Sequence, residues 1–175
     1  MCGIAGVISF RDDMRGDMEI YRKMQETLSR RGPDQRGIVL YPEAALIHTR
    51  LAVIDIDGGH QPMICRISGR EYIIVYNGEL YNTDEVRAEL DSDFGFDTHS
   101  DTEAVLKAYV KWGADCVEHF NGIYAFAVYE PAEHRVFLAR DRMGVKPLFY
   151  WCGNDKLVFA SELPALLEYP DIPRE

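Results

Sequence analysis

Short apolar runs of strand character, set on both sides of a helical middle, constrain this chain most. Residues 3–10 read as a buried strand, and "GIVLY" (37–41) and "AALIHTRLAVID" (44–55) read as two strands joined around Pro42-Glu43. "REYIIVY" (70–76) is another strand, running into a loop, "NGELYN" (77–82). Late in the chain "GIYAFAVY", "HRVFLAR", "PLFYW" and "KLVFAS" form two hairpins, the second turning at Gly153-Asn154-Asp155. Hairpins make antiparallel pairs, so the pattern predicts an α+β fold rather than a βαβ series.

The helical segments carry their own signals. In residues 18–31 the side chains of Ile20, Tyr21, Met24 and Leu28 share one face, Arg30 and Arg31 suit a helix C-terminus, and Gly32-Pro33 stops the helix. Asn82 with Glu85, and Ser100 with Glu103, read as capping boxes. The second box opens a helix with Val105, Ala108, Tyr109 and Trp112 on one face and Gly113 as its stop; a last helix begins near Glu162. With no repeat, low-complexity tract or linker, the 175 residues are expected to form one domain, 1–175.

Composition narrows the function. A net charge of −10, from 29 acidic and 19 basic residues, repels phosphate backbones and anionic lipid, so neither nucleic acid nor a membrane is an expected partner. No apolar run approaches the ~18 residues of a membrane span, and the N-terminus lacks the pattern of a signal peptide. Cysteines at 2, 65, 116 and 152 form no CxxC and no paired framework, which fits free thiols in a reducing, cytoplasmic setting. The five histidines form no HExxH-type pair, so no metal site is expected.

Cys2 stands behind a single methionine, and removal of Met1 would leave a thiol and a free α-amine on one residue. Such an amine has a pKa of roughly 7.7–8.0, so it can act as a base for its own thiol. The plainer reading is a small residue at a strand start. "YNGELYN" is either an Asn-Gly turn or a pair of donors, the Asn77 amide and a neighbouring backbone N–H, aimed at one oxyanion, with Gly78 admitting a substrate. Arg50, inside an apolar strand, wants a carboxylate from the protein or from a ligand. Asp101 either complements a helix dipole or holds a ligand ammonium. "RRGPDQRG" (30–37) and "RDRMGVKPLFY" (140–150) could each be no more than loops.

Taken in order, "MCGIAG", "RRGPDQRG", "RLAVID", "GGHQPM", "YNGELYN", "SDTEAVL", "FNGIYAFAVY" and "RDRMGVKPLFY" resemble one family from residue 1 to about 168. It is the glutaminase domain of glutamine-hydrolysing asparagine synthetases, a class II glutamine amidotransferase. The resemblance implies an N-terminal nucleophile (Ntn) hydrolase fold, a four-layer αββα sandwich of two mainly antiparallel sheets. It implies Cys2 as nucleophile once Met1 is removed, Asn77 and Gly78 as the oxyanion hole, Arg50 for the α-carboxylate of glutamine and Asp101 for its α-ammonium. Leu51, Ala52, Val53, Ile54 and Glu79 match the rest of the glutamine pocket. It also implies L-glutamine as substrate and no cofactor in this domain.

A complete asparagine synthetase continues into a second domain that binds ATP, with Mg, and aspartate. Its Ser-Gly-Gly-type pyrophosphate loop is absent; "ISGRE" (67–71) does not match. The expectation is therefore a fragment of a longer protein, with a synthetase domain of the parent as partner and a homodimer left open. Amidophosphoribosyltransferases and glucosamine-phosphate synthases share the Cys-Gly start and the Asn-Gly loop, but "RRGPD" with "RDRMGVKPLFY" favours the asparagine synthetase branch. Some members of that branch amidate other carboxylates, and a non-catalytic module with the same fold is a further alternative.

Overall fold

A computed structural model describes residues 1–53, 55 and 58–174. Its first sheet takes strands from both ends of the chain: β1 (Gly3–Ser9), β2 (Gln35–Tyr41), β3 (Ala44–Arg50), β8 (Phe149–Gly153) and β9 (Lys156–Ala160), in the order β2-β3-β1-β9-β8. The second holds β4 (Met63–Ile67), β5 (Arg70–Leu80), β6 (Gly122–Glu130) and β7 (Arg135–Arg140), in that order. Every pairing is antiparallel.

Strand alternation sorts the apolar residues into three cores. Between the sheets lie Ile4 and Ile8 of β1, Leu46 of β3, Ile73 and Val75 of β5, Ala125 and Ala127 of β6, and Phe159 of β9. The opposite face of the first sheet, with Ala5, Val7 and Ile47, packs on α1 (Met18–Thr27) and α4 (Leu163–Leu166). The outer face of the second sheet, with Ile74, Tyr76 and Phe126, packs on α2 (Thr83–Leu90) and α3 (Asp101–Trp112). The layers are therefore helix, sheet, sheet, helix, the expected αββα sandwich. Each large side chain fully buried in these cores contributes about 1.5–3 kcal/mol.

The boundaries differ from expectation in instructive ways. β3 ends at Arg50, not Asp55, because β1 and β2 supply partners only as far as Thr49 and Arg50. β5 runs on through Leu80, because β6 stays alongside it down to Gly122. Asn77 and Gly78 are thus strand residues opposite Ala125 and Tyr124, and the Asn-Gly turn reading fails. α1 stops at Thr27, where its last bonds tighten to Leu28 N–H with Gln25 O and Ser29 N–H with Glu26 O. β4 had no clear sequence signal; as an edge strand it exposes Ile64 and Arg66 between buried Met63 and half-buried Cys65 and Ile67.

Neither capping box closes. Ser100 does cap α3, accepting from Thr102 N–H at 3.1 Å. Glu103 turns away to accept from Asp97 and Thr98 N–H and pairs with Lys107. Asn82 makes no side-chain cap; its amide ties to Asn121 N–H and His119 O. The β8–β9 hairpin turns as expected, with Asn154 and Asp155 at φ 50° and 56°.

Candidate active site

The same alternation aims three residues into one space. Arg50 follows Leu46 and His48 on the inward face of β3; Asn77 follows Ile73 and Val75 on β5; Cys2 precedes Ile4 on β1. All three reach one end of the gap between the sheets, where a cavity of about 280 Å³ opens. Its wall includes Cys2, Arg50, Leu51, Val53, Asn77, Gly78, Glu79 and Asp101. Ala52 is not on that wall; its N–H donates to Asp34 Oδ2 at 2.8 Å. Ile54 lies outside the described residues.

Cys2 is held by its backbone. Arg31 Nε donates to the Cys2 carbonyl at 2.9 Å, and Arg31 Nη1 pairs with Glu162 Oε1 at 3.0 Å. The expected dipole-complementing role of Arg31 therefore gives way to a tether between the chain start, the loop after α1 and the loop before α4. The Cys2 thiol donates to Leu51 O at 3.7 Å. Burial pushes the thiol pKa up, while the Met1 amino group, Arg50 and Lys146 pull it the other way.

Arg50 is 4% exposed and anchored, with Nη1 on Gln35 Oε1 at 2.7 Å and Nη2 on Asp55 O at 2.6 Å. Gly59 makes room for it: a Cβ there would lie 2.3 Å from Nη2. Asp55, at φ 46°, accepts His99 N–H and Gly58 N–H, which hold its carboxyl below the usual range. This segment thereby links Arg50 to the start of α3.

Asn77 is 1% exposed, and its Nδ2 has no hydrogen-bond partner among the described residues. A buried donor left open costs about 1–3 kcal/mol, so something that enters the cavity is its natural partner. Gly78 is required sterically, since a Cβ would sit 2.6 Å from the Tyr76 hydroxyl and 2.7 Å from Ile123 O. Tyr76 OH in turn donates to Asp101 Oδ2 at 3.0 Å, and Leu80 N–H reaches the same oxygen at 3.2 Å.

Asp101 opens α3 and lines the cavity, so its two readings coexist in the geometry. Burial raises its pKa against the bonds from Leu80, Tyr76 and the helix N-terminus. Such a carboxylate gains from an ammonium partner. Five described residues of the wall carried no role in the sequence reading: Gly59, Gln61, Tyr76, Thr102 and Lys146. Gly59 and Gln61 lie in "GGHQPM", which stood out only as a family motif, and Lys146 lies in "RDRMGVKPLFY", which read locally as a loop. Gln61 Oε1 accepts Tyr76 N–H at 2.6 Å and its Nε2 reaches Thr102 Oγ1 at 3.3 Å, bracing β5 against α3.

A two-sheet sandwich with a cysteine, an open amide donor, an arginine and an aspartate around one small cavity is the plan of an Ntn-type amidotransferase. The chain belongs to the glutamine amidotransferase domain family, which matches residues 1–175. It is 46% identical over 173 residues to asparagine synthetase [glutamine-hydrolyzing] 3 of Bacillus subtilis, covering 98% of this chain and 28% of that protein. It is 34% identical to asparagine synthetase B [glutamine-hydrolyzing] of Escherichia coli, covering 95% and 30%. This chain thus spans under a third of the length of these two relatives. A solved structure of glutamine phosphoribosylpyrophosphate amidotransferase from Bacillus subtilis superposes with a TM-score of 0.76 at 22% identity, over 94% of this chain and 42% of that one, and shares the fold.

Proposed function

We propose that this chain hydrolyses the side-chain amide of L-glutamine to glutamate and ammonia, with Cys2 as nucleophile after Met1 is removed. The observation that carries the reading is the buried, partnerless Asn77 Nδ2 on the wall that also holds Cys2. In this reading the Cys2 α-amine takes the thiol proton, and the sulfur bonds to the amide carbon. The electron pair moves to the amide oxygen, which Asn77 Nδ2 and the Gly78 N–H receive. The pair then returns, the C–N bond breaks, and the leaving nitrogen takes the proton back from the ammonium and departs as ammonia. Water attacks the thioester, gives a proton to the amine, and the C–S bond breaks to release glutamate and restore the thiol. Every step uses this chain's groups and water, and no metal or cofactor is assigned here.

Arg50 is assigned to the α-carboxylate and Asp101 to the α-ammonium of glutamine, with Glu79, Leu51 and Val53 completing the pocket. Both charged side chains are supported by burial on the cavity wall and by anchors that fix them before substrate arrives. The names of the relatives support a longer parent in which a synthetase domain takes the ammonia to make asparagine. Four unpaired cysteines support a reducing, cytoplasmic setting. No helix among the described residues is long and apolar enough to cross a membrane.

The test is glutamate release from glutamine by the purified chain and by Cys2→Ala. Release by the wild type and none by the variant is expected. Equal release from both would overturn the assignment of Cys2, and no release from a chain shown by mass to begin at Cys2 would favour a non-catalytic module.

A further inference from the structure

We propose that Lys146 is the cation that stabilises the Cys2 thiolate, a positioning residue for the nucleophile that works through the charge of its ammonium. The inference rests on the glutaminase reading for its purpose, and on geometry for its substance. Lys146 is 9% exposed and lines the cavity that holds Cys2. Its backbone is fixed on both sides: its N–H donates to Asp141 Oδ2 at 2.9 Å, and its carbonyl accepts from Arg140 Nε at 2.7 Å. The turn before it is set by Gly144 at φ 64° and by Val145 N–H on Asp141 Oδ1 at 2.8 Å. The loop is thus braced to deliver one side chain, yet no hydrogen bond or ion pair involves that ammonium among the described residues.

A cation that lines the cavity with no protein partner among the described residues is placed to meet an anion that forms there during function. Among the described residues, the charged and titratable groups that face Lys146 around the cavity are the Met1 amino group and Cys2 at the chain start, Arg50 from β3, Tyr76 and Glu79 from β5, and Asp101 from α3. Arg50 repels Lys146. Asp101 already accepts from Tyr76 and Leu80 and makes no ion pair with Lys146. Glu79 is exposed to solvent. Of the anions that substrate brings, the α-carboxylate is assigned to Arg50 and the oxyanion to Asn77 and Gly78, which leaves the sulfur, anionic before attack and again when the thioester is cleaved. The charge of Lys146 does oppose the effect of burial on the Cys2 thiol, as does that of Arg50.

The test follows the rate of Cys2 alkylation by iodoacetamide against pH, read at the Cys2 peptide by mass spectrometry so that Cys65, Cys116 and Cys152 do not interfere. Wild type, Lys146→Met and Lys146→Arg are compared in the same N-terminal form. A nearby charge moves a pKa by roughly 1–3 units. Lys146→Met is therefore expected to raise the midpoint by at least about one pH unit and slow alkylation at pH 7 about tenfold, with the same plateau at high pH. Lys146→Arg should keep most of the wild-type profile. A midpoint unchanged in Lys146→Met overturns the proposal; if KM for glutamine rises at the same time, Lys146 serves the substrate instead. Should Lys146→Met melt early, Lys146→Gln decides by the same midpoint. A wild type whose midpoint depends on Lys146 but which releases no glutamate overturns the glutaminase reading and leaves the Lys146 assignment standing.

Discussion

Arg31 Nε donates to the backbone carbonyl of Cys2 at 2.9 Å, so a residue beyond the end of α1 fixes the position of the chain start. Its Nη1 holds Glu162 ahead of α4, and its side chain is 11% exposed against 37% for Glu162. Arg31→Ala is expected to free the Cys2 backbone and lower kcat for glutamine about tenfold or more, since a misplaced nucleophile loses the benefit of orientation. Parallel melting curves check the claim. A lower Tm with kcat intact would reduce Arg31 to a strap between loops.

Asn77→Ala separates an oxyanion donor from a structural amide. With Nδ2 partnerless and 1% exposed, its removal takes away no protein hydrogen bond at that atom. The fold should hold within about 1 kcal/mol, while kcat falls about 10²–10³-fold with little change in KM. A loss confined to KM, or a collapse of the β5–β6 pair, would contradict this.

Asp101 offers a test in which stability and binding move apart. Burial raises its pKa, so the charged form is disfavoured by the fold. A raised carboxylate contributes stability that is complete below the unfolded pKa of about 3.9 and is lost as pH climbs through the folded value. Asp101→Asn should therefore leave Tm at pH 7 unchanged or higher, yet raise KM for glutamine strongly. In the wild type, KM should rise as pH falls through the elevated pKa. A carboxylate serving only the helix dipole would behave oppositely, costing about 0.3–1 kcal/mol on mutation and leaving KM alone.

Sequence patterning revealed the layers but not where they meet. The apolar runs of β1, β5 and β6 were legible, and so was the amphipathic face of α1, because strands covered on both sides and a helix covered on one demand them. What the string does not carry is the pairing of β1 between β3 and β9, and hence the side of the sandwich to which Cys2, Arg50 and Asn77 converge. Asn-Gly is a turn signal locally; β6 overrides it by offering partners as far as Gly122. Lys146 was invisible for a related reason. A lysine in a charged loop looks solvated, and only the bonds of Asp141 and Arg140 reveal that its backbone is held against the cavity.

His48 gives the fold an acid limit. It is fully buried on β3 between the sheets, with Nε2 3.2 Å from Tyr76 O and Nδ1 without a partner among the described residues. Burial lowers its pKa to about 3. The unfolded chain binds this proton below about pH 6.5, whereas the folded chain resists it until about pH 3. Stability should therefore fall by a few kcal/mol as pH drops through that window. His48→Gln, which can still donate to Tyr76 O, should flatten the slope of unfolding free energy between pH 6.5 and 4. An unchanged slope would place the acid sensitivity elsewhere, in the carboxylates.

The last prediction concerns the residue in front of the nucleophile. Met1 lies on the cavity wall beside Cys2, and while it is attached the nitrogen of Cys2 is an amide. An amide cannot take the thiol proton, whereas a free α-amine, with a pKa of roughly 7.7–8.0, can. Removing Met1 therefore supplies the base and also opens the wall where a substrate must approach the sulfur. The retained form should keep its fold, because Met1 is 59% exposed and belongs to none of the three cores. It should still alkylate at Cys2 when the solvent is basic enough to make thiolate, but should turn over no glutamine at neutral pH. The two forms can be prepared with and without aminopeptidase treatment, verified by intact mass, and compared for glutamate release at pH 7.5. Equal rates would show that the terminal amine is not the base and would leave the proton to another group on the wall.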